Sequence, residues 1–157
     1  MISQASGYAA TALGFIAARG GKSAQVRVVA EACDIPSAYL AKIINALSHK
    51  GLVVTQRGVG GGVLLARPPQ DIPLRDICVA LDDPITEPRC MFGYAECTED
   101  RACPALQFCS SHRQKLAEFL QRTTVADIAA FETRRRWGGD HPNTRTAGAA
   151  SGQADRG

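Results

Sequence analysis

Four cysteines between residues 90 and 109 carry the most reactive chemistry in this sequence. Six residues separate Cys90 from Cys97, five separate Cys97 from Cys103, and five more precede Cys109. Thiols this close along the chain can converge on one centre, because closing a short loop costs little chain entropy. Thiolates are soft ligands that suit zinc or an iron-sulfur cluster. The spacing therefore predicts a metal centre held by Cys90, Cys97 and Cys103.

The composition places these thiols in a soluble protein of one ordinary domain. The chain has 157 residues, of which 45% are hydrophobic, enough for a single small core. No basic segment followed by a long apolar run opens the sequence, and no stretch approaches eighteen consecutive apolar residues. We therefore expect a cytoplasmic protein without a membrane partner. In that reducing compartment a disulfide framework is disfavoured, which leaves metal or redox chemistry for the cysteines.

Charge is segregated along the chain. Residues 1–70 carry seven Lys or Arg against two acids, whereas residues 71–109 carry three against eight. A basic half joined to an acidic, cysteine-bearing segment favours a nucleic-acid binder with a separate sensing element.

The basic half has the pattern of a helix-turn-helix. A helix is predicted over residues 6–17 and a second over Val26–Cys33, which Pro36 ends because proline disfavours helical geometry in the residue before it. Ser37 is predicted to cap a third helix that Gly51 stops. That third helix has one apolar stripe, formed by Leu40, Ile43, Ile44 and Leu47.

A β-hairpin is predicted directly after this pair of helices. The β-branched runs 52–56 and 63–67 flank a glycine-rich link from Arg57 to Gly62. A hairpin in this position is the wing of a winged helix. The alternative, a phosphate-binding loop, is disfavoured because its lysine and Ser/Thr are missing and no helix follows.

The second half is predicted to be helical around the cysteines. Residues 74–81 form a short helix or turn, a long helix begins at Pro104 and runs to about Arg122, and Thr123 or Thr124 caps a last helix ending near Trp137. The predicted class is mostly α with a small β-hairpin wing. The expected divisions are a DNA-binding domain at 1–81, a cysteine-bearing loop at 82–103, dimerisation helices at 104–137 and a disordered tail at 138–157.

On general docking geometry the third helix would lie in the major groove and the wing would reach the minor groove. Ser37 and Lys42 would contact phosphates, and Tyr39 a phosphate or a base edge, unless Tyr39 packs against the wing. Arg57 would enter the minor groove, and the glycines would let the backbone approach. The predicted DNA-binding residues are Ser37, Ala38, Tyr39, Lys42, Arg57, Gly58, Gly60 and Gly61.

Taken together, these motifs resemble the IscR/NsrR/RirA family of bacterial iron-sulfur transcription regulators. The resemblance covers roughly residues 1–135 and is carried by the wing, the three cysteines and four short runs: Gly7-Tyr8-Ala9, residues 39–45, residues 47–53 and residues 124–128. It implies a homodimer joined through the long helix, and a cluster whose presence or loss changes DNA binding. It also implies palindromic operators and no enzymatic activity.

The ligand set departs from that family's pattern. Some relatives use a histidine three residues after the third cysteine, where this chain has Leu106. Others take an acidic ligand from the partner's first helix, but the first acid here is Glu31. The fourth ligand stays open among Cys109, Cys33, a residue of the other subunit and a small molecule. A two-iron or a four-iron cluster is compatible with the spacing, and so is a role in sensing iron, nitric oxide or redox state.

Local chemistry around the cysteines points both ways. Cys103 precedes the predicted helix start at Pro104, where the helix dipole would stabilise a thiolate. The acids Glu96, Glu99 and Asp100 would oppose thiolate formation until a cation arrives. Cys78 is expected in the core.

Three other functions fit parts of the pattern. A winged-helix regulator could use a thiol switch or a zinc site without a cluster. A protein with a winged-helix ancestor could carry iron-sulfur clusters instead of binding DNA. A thiol oxidoreductase is disfavoured because the sequence has no Cys-x-x-Cys pair and no evident Cys-His-Asn arrangement.

Overall fold

The computed structural model describes residues 1–87, 89–94 and 102–137. Its helices and strands are α1 (Gln4–Ala18), α2 (Val26–Cys33), α3 (Ser37–His49), β1 (Val53–Gln56), β2 (Gly62–Leu65), α4 (Leu74–Ala80), α5 (Leu106–Arg122) and α6 (Val125–Glu132). Single turns of 3-10 helix at Pro69–Asp71 and Pro84–Thr86 flank α4, and a π-helix at Thr133–Trp137 continues α6. The predicted class, mostly α with one small hairpin, is confirmed. The tail predicted at 138–157 lies outside the described residues.

Helix α1 lies at the centre of the fold. It packs against α2, α3, α4, α6 and β2. Ala9, Ala12 and Leu13 have no exposed surface. The helix starts two residues before the predicted range because the Ser3 hydroxyl caps it, accepting a hydrogen bond from the Ser6 N–H at 3.2 Å. No helix within the described ranges is long and apolar enough to cross a membrane.

The turn between α2 and α3 corrects one expectation. Asp34 ends α2 in the left-handed conformation (φ 56°), and Pro36 takes the N-cap position of α3 with extended backbone. Ser37 is therefore already the first helical residue, and no side chain caps α3. The predicted capping role of Ser37 is wrong, because the proline, whose φ is fixed, occupies the position that a cap requires.

The predicted stop at the end of α3 is confirmed. Gly51 has a φ of +69°. The Leu52 N–H donates to the Leu47 carbonyl and the Gly51 N–H to the Ser48 carbonyl, both at 3.0 Å. This pair of bonds is a Schellman motif, which needs a left-handed residue at the glycine position. It turns the chain directly from α3 into β1.

The hairpin forms in the predicted place. Strands β1 and β2 are antiparallel, with Val53 opposite Leu65 and Gln56 opposite Gly62. Val53 and Val63 point into the core and are almost fully buried. Ala24, between α1 and α2, adds a bridge to Val63 through two backbone hydrogen bonds of 2.8 and 3.1 Å. The hairpin is therefore attached to the helices on its inner side.

The last two helices return to the start of the fold. The start of α5 differs from the prediction: α5 begins at Leu106, because the Leu106 N–H donates to the Cys103 carbonyl in a turn that contains Pro104. Thr124, one of the two predicted caps, caps α6 in a reciprocal capping box with Asp127. The Val125 N–H donates to the Ile72 carbonyl at 2.9 Å. Helix α6 also packs against α1.

The α1–α6 contact depends on a glycine. A Cβ added to Gly14 would lie 3.0 Å from Ile128 Cγ2 and 3.3 Å from the Ala129 nitrogen. A Cβ added to Gly7, on the same helix, would meet no atom within 4 Å. Gly14 therefore permits a close helix approach, whereas Gly7 does not serve that purpose.

Asp83 joins the end of α4 to the start of α1. It is only 2% exposed. Its carboxylate accepts hydrogen bonds from the Ser3 N–H at 2.8 Å and the Ile85 N–H at 3.0 Å, and it also interacts with the side chain of Ser6. Burial by itself raises the pKa of Asp83, but the hydrogen bonds from Ser6, Ile85 and Ser3 outweigh it and lower the pKa from 3.8 to about 2. The ionised carboxylate is thus part of the folded structure.

We predict that Asp83→Asn lowers the free energy of unfolding at pH 7 by about 2 kcal/mol, the value of a pKa lowered by almost two units. Because the folded pKa lies below the unfolded one, this stabilisation is present above about pH 4 and is lost as pH falls toward 2. Urea unfolding of both proteins between pH 7 and 2 measures the difference. Asp82→Asn, at an exposed neighbour with a φ of +50° that Asn also adopts, is the control. If Asp83→Asn lowered the free energy of unfolding by the same amount at all pH values, the negative charge of Asp83 would not be the cause of the stabilisation.

We also predict that Gly14→Val lowers the free energy of unfolding by roughly 1 to 3 kcal/mol relative to Gly7→Val, because only the first side chain overlaps α6. Both variants replace glycine by valine within α1, so the comparison removes most of the change in helix propensity. Equal stabilities in urea unfolding would show that α6 is not packed closely on α1.

Candidate nucleic-acid interface and cysteine segment

Helix α3 has one buried and one exposed face. The predicted apolar stripe is buried: Leu40, Ile43, Ile44 and Leu47 are at most 4% exposed. The residues predicted to meet DNA, Ser37, Ala38, Tyr39 and Lys42, are all exposed. The stripe attaches the helix to the core and leaves these four side chains at the surface, as a major-groove helix requires.

Tyr39 has a fixed neighbour on the exposed side of α3. Its ring meets the ring of Tyr8 edge to face, with centroids 5.9 Å apart and planes at 78°. The Gln4 amide donates a hydrogen bond of 3.2 Å to the Tyr8 hydroxyl. Tyr39 still exposes 38% of its surface. The aromatic partner of Tyr39 is thus on α1, not on the wing, and α1 orients a residue of the predicted DNA surface.

The wing presents the predicted residues on a tight turn. Arg57, Gly58 and Gly60 are exposed and Gly61 is half-buried. A Cβ on Gly61 would lie 2.5 Å from the Gln56 carbonyl oxygen and 2.8 Å from that of Gly58. Glycine is therefore required at position 61 by the turn itself.

The region from α3 to the wing has no acidic residue. Residues 35–70 contain Lys42, Lys50, Arg57 and Arg67 but neither Asp nor Glu. Arg67 forms an ion pair of 2.8 Å with Asp76 of α4. Within the described residues, no ion pair is formed by Lys42 or Arg57. Lys42 and Arg57 are therefore available to form ion pairs with an anionic partner.

The cysteine segment, residues 82–103, is described in part. Cys90 and Cys103 are half-exposed, whereas Cys97 and the acids Glu96, Glu99 and Asp100 lie outside the described residues. Because α5 begins at Leu106, Cys103 is three residues before the first helical residue, and the predicted position at the helix start is wrong. The described residues alone bring no three His, Cys, Asp or Glu side chains together as a metal site.

The other cysteines are in helices. Cys109 is half-buried in α5. Cys33 is buried at the end of α2, with its sulfur 3.9 Å from the Thr11 carbonyl oxygen. Cys78 is fully buried, as expected, and burial followed by the nearby Asp83 charge raises the pKa of its thiol. The Cys78 thiol is thus held in its neutral form.

Apolar side chains are exposed on the cysteine segment and on α5. Met91, Phe92 and Tyr94 follow Cys90 with more than half of their surface exposed. On α5, Phe108 and Phe119 are also more than half exposed, and Phe108 stacks on His112 at 6.0 Å. Of the seventeen residues of α5 only Leu120 is buried. Within the described residues, α5 therefore contributes little to the core and leaves two aromatic side chains exposed.

Sequence reasoning missed two residues of this region. Asp83 stands directly before Pro84, and Asp before Pro is a cap signal that could have identified it. Ser23 donates a hydrogen bond of 2.7 Å to the Gly60 carbonyl of the wing. No local pattern indicates that contact, because the two residues are far apart in sequence.

Comparisons with known proteins found relatives that are similar to most of this chain. Protein aau3 of Rhizobium meliloti is 34% identical over 77% of this chain and 79% of its own length. The HTH-type transcriptional regulator IscR of Sodalis glossinidius is 29% identical over 80% of this chain and 76% of its own length. The solved structure of CymR, the global cysteine regulator of B. subtilis, is 26% identical with a TM-score of 0.71, and covers 83% of this chain and 97% of that chain.

The match to a family extends over almost the whole described fold. Residues 2–130 match Rrf2, a family described as an iron-dependent transcriptional regulator. The matched range includes α1 to α5, the wing and the cysteine segment. Because this match covers most of the chain, the protein belongs to the Rrf2 family of transcription regulators, which is not a family of enzymes.

Proposed function

We propose that this protein binds a palindromic operator as a homodimer, and that an iron-sulfur cluster held by Cys90, Cys97 and Cys103 controls its affinity for that operator. The observation that carries the proposal is one chain of contacts. Asp83 attaches the start of the cysteine segment to the first turn of α1, and Tyr8 of α1 contacts Tyr39 on the exposed face of α3. A change in the cysteine segment therefore has a direct physical route to the DNA surface.

The DNA side of the proposal rests on exposure and charge. Ser37, Ala38, Tyr39 and Lys42 would face the major groove, with Lys42 on a phosphate and Tyr39 on a phosphate or a base edge. Arg57 would enter the minor groove, and Gly58, Gly60 and Gly61 would let the backbone approach. The absence of acids from residues 35–70 supports this assignment, because a like charge would repel phosphate.

The homodimer is supported by the exposed side of α5. Phe108 and Phe119 are eleven residues apart, about three helical turns, so they lie on one side of the helix. Burying them between two copies of α5 would remove a large apolar area from water. Two-fold symmetry would then place two copies of α3 on two half-sites, from which a palindromic operator follows.

The cysteine side rests on the chemistry of the donors. Cys90 and Cys103 are half-exposed thiols outside helices, which can rearrange around a metal without disturbing the core. Three thiolates suit a two-iron or a four-iron cluster, which supplies a redox-active centre when it is bound. For the fourth ligand, Cys109 is half-exposed and Cys33 is buried, so Cys109 is the better candidate within this chain.

Coupling requires only a small energy. Ordering of the cysteine segment could move α1 relative to α3, or change the angle between the two copies of α3. An operator with fixed half-site spacing would then bind either the ordered or the unordered state of the protein more tightly. A differential contact energy of a few kcal/mol shifts such an equilibrium almost completely. Iron status, nitric oxide and redox state are signals that would act by removing or altering the cluster.

A thiol switch or a zinc site without a cluster is the second candidate. One observation favours it: the described cysteines include half-exposed thiols that an oxidant can reach. The DNA surface would be the same in both cases. The two candidates differ in the metal and sulfide content of the purified protein. The first predicts iron and acid-labile sulfide, and the second predicts zinc or no metal.

We predict that Ser in place of Cys90, Cys97 or Cys103 abolishes the visible absorbance of protein purified without oxygen and changes operator affinity at least fivefold, with the far-UV circular dichroism unchanged. Cys90 and Cys103 are not part of the buried core, so replacing them should remove a ligand but no core contact. Cys78→Ser, at the buried thiol beside Ser6 and Asp83, is the matched control and should retain both properties. Colourless wild-type protein that contains zinc would favour the second candidate, and unchanged operator affinity in all three variants would contradict coupling.

We also predict different salt responses for two residues of α3. Lys42→Ala should weaken binding to specific and random duplexes alike and reduce the salt slope by about one, because it removes a phosphate contact. Tyr39→Ala should weaken the specific duplex more, by about tenfold if the ring reads a base edge. Fluorescence anisotropy at several salt concentrations measures both. Arg67→Ala, whose cation is paired with Asp76, should leave the slope unchanged, and an equal effect there would contradict the assignment.

A further inference from the structure

One apolar side chain at the tip of the wing is covered by no other residue of the described part of the chain. Val59 is fully exposed, whereas Val53 and Val63 on the same hairpin are buried. A single exposed valine on a surface needs no explanation by itself. The backbone around this one is, however, built to hold it in one place.

Val59 occupies the second position of a closed turn. The Gly61 N–H donates a hydrogen bond of 2.9 Å to the Gly58 carbonyl, which closes the four residues 58–61. Gly60, the third residue, has a φ of +77°. A positive φ at this position is the signature of a type II turn, which only glycine adopts readily. The valine is thus held at the apex of a defined turn.

A contact from outside the hairpin fixes this turn. The Ser23 hydroxyl donates a hydrogen bond of 2.7 Å to the carbonyl of Gly60, the residue after Val59. The next residue, Ala24, is bonded to Val63 on β2. A Cβ on Gly62 would lie 2.6 Å from the Ala24 carbonyl oxygen, so the loop and the wing are in close backbone contact. Ser23 and Ala24 together brace the tip against the helical core.

The charge of the surroundings indicates what covers the tip. Arg57, two residues before Val59, is exposed, and residues 35–70 have no acid. A membrane or a protein partner would be met by a broader apolar surface than one isopropyl group. The minor groove of DNA accepts a cation and a small apolar wedge side by side.

We infer that Val59 is a specificity-determining residue that contacts the floor of the minor groove, and that Ser23 is the residue that positions it. This inference rests on the proposed placement of the wing on DNA. The guanine 2-amino group projects into the minor groove, while A·T and T·A pairs present only acceptors there. An apolar side chain on the floor meets that amino group and leaves its second N–H, the one that does not pair with cytosine, without a hydrogen-bond partner. Val59 therefore selects A·T pairs under the wing.

The test uses the whole chain, prepared without oxygen, and duplexes selected by the wild type from a random pool. At the A·T pairs outside the major-groove half-site, one duplex carries G·C and another carries inosine·C. Inosine lacks only the minor-groove amino group. We expect wild-type protein to bind the G·C duplex about tenfold more weakly than the inosine·C duplex in fluorescence anisotropy.

Two variants test whether Val59 and Ser23 determine this ratio of the affinities for the inosine·C and G·C duplexes. Val59→Thr keeps the branched shape but adds a hydroxyl that can pair with the amino group, so the ratio should fall to about threefold or less. Ser23→Ala should reduce the ratio in the same direction with little change in the thermal unfolding midpoint, because the freed tip moves away from the floor. Val54→Thr, at a valine of β1 that is 47% exposed and away from the tip, is the control and should keep the wild-type ratio.

The possible results separate this inference from the proposed function. A ratio of one for the wild type, or an unchanged ratio in Val59→Thr, overturns the role of Val59 while leaving DNA binding intact. A reduced ratio in Val54→Thr of the same size overturns the assignment to the tip. An unchanged ratio in Ser23→Ala overturns the positioning role of Ser23. If the wild type selects no duplex at all, the proposed function fails and the inference fails with it.

Discussion

The close packing of α1 in the middle of the fold is the constraint on which the other parts depend. One helix can touch α2, α3, α4, α6 and β2 only if its side chains are small where the neighbours approach. Ala9 and Ala12 serve this purpose, and Gly14 lets α6 lie against the backbone. Because packed interiors do not deform continuously, a displacement of α1 moves the elements around it as units.

This packing gives α1 a place between the two functional regions. At the start of α1, the Ser3 N–H donates a hydrogen bond to Asp83 of the cysteine segment. One turn later, Tyr8 of α1 contacts Tyr39 on α3. The wing is connected differently: Ser23 and Ala24, in the loop after α1, hold its tip and its inner strand. Helix α3 and the wing thus have separate contacts, one with α1 and the other with the loop that follows it. Under the proposed function, a change at the start of α1 would alter the orientation of the proposed DNA surface.

The sequence was sufficient for the fold class and for some helix ends, among them both ends of α2 and the stop after α3. Glycine at position 51, proline at position 36 and the apolar stripe of α3 act through local backbone geometry, so the helix-turn-helix and the hairpin could be located without coordinates. The predictions failed where two local signals compete. Pro104 is well suited to a first helical position, yet it lies in a turn before α5, and Ser37 lost its capping position to Pro36.

The candidate site was predictable only in its residue types. Exposure of Tyr39 and Lys42 follows from their position opposite the apolar stripe, and the cysteines attract notice by their spacing. The contacts that connect them, Asp83 with Ser3 and Ser23 with Gly60, join residues 80 and 37 positions apart. Such pairs form because the tertiary fold brings them together, and no local pattern specifies them.

The central claim is that the state of the cysteine segment determines the affinity for DNA. A comparison of DNA affinity with and without the iron and sulfide tests it most directly. A single preparation of wild-type protein, purified without oxygen, is divided in two, and the iron and sulfide of one half are removed with an oxidant and a chelator. The affinity of each half for the same selected duplex is then measured at one salt concentration. The account predicts brown protein with iron and sulfide in the untreated half, and affinities that differ at least fivefold. Equal affinities, or untreated protein that contains no iron or sulfide and cannot be reconstituted with them, would contradict it.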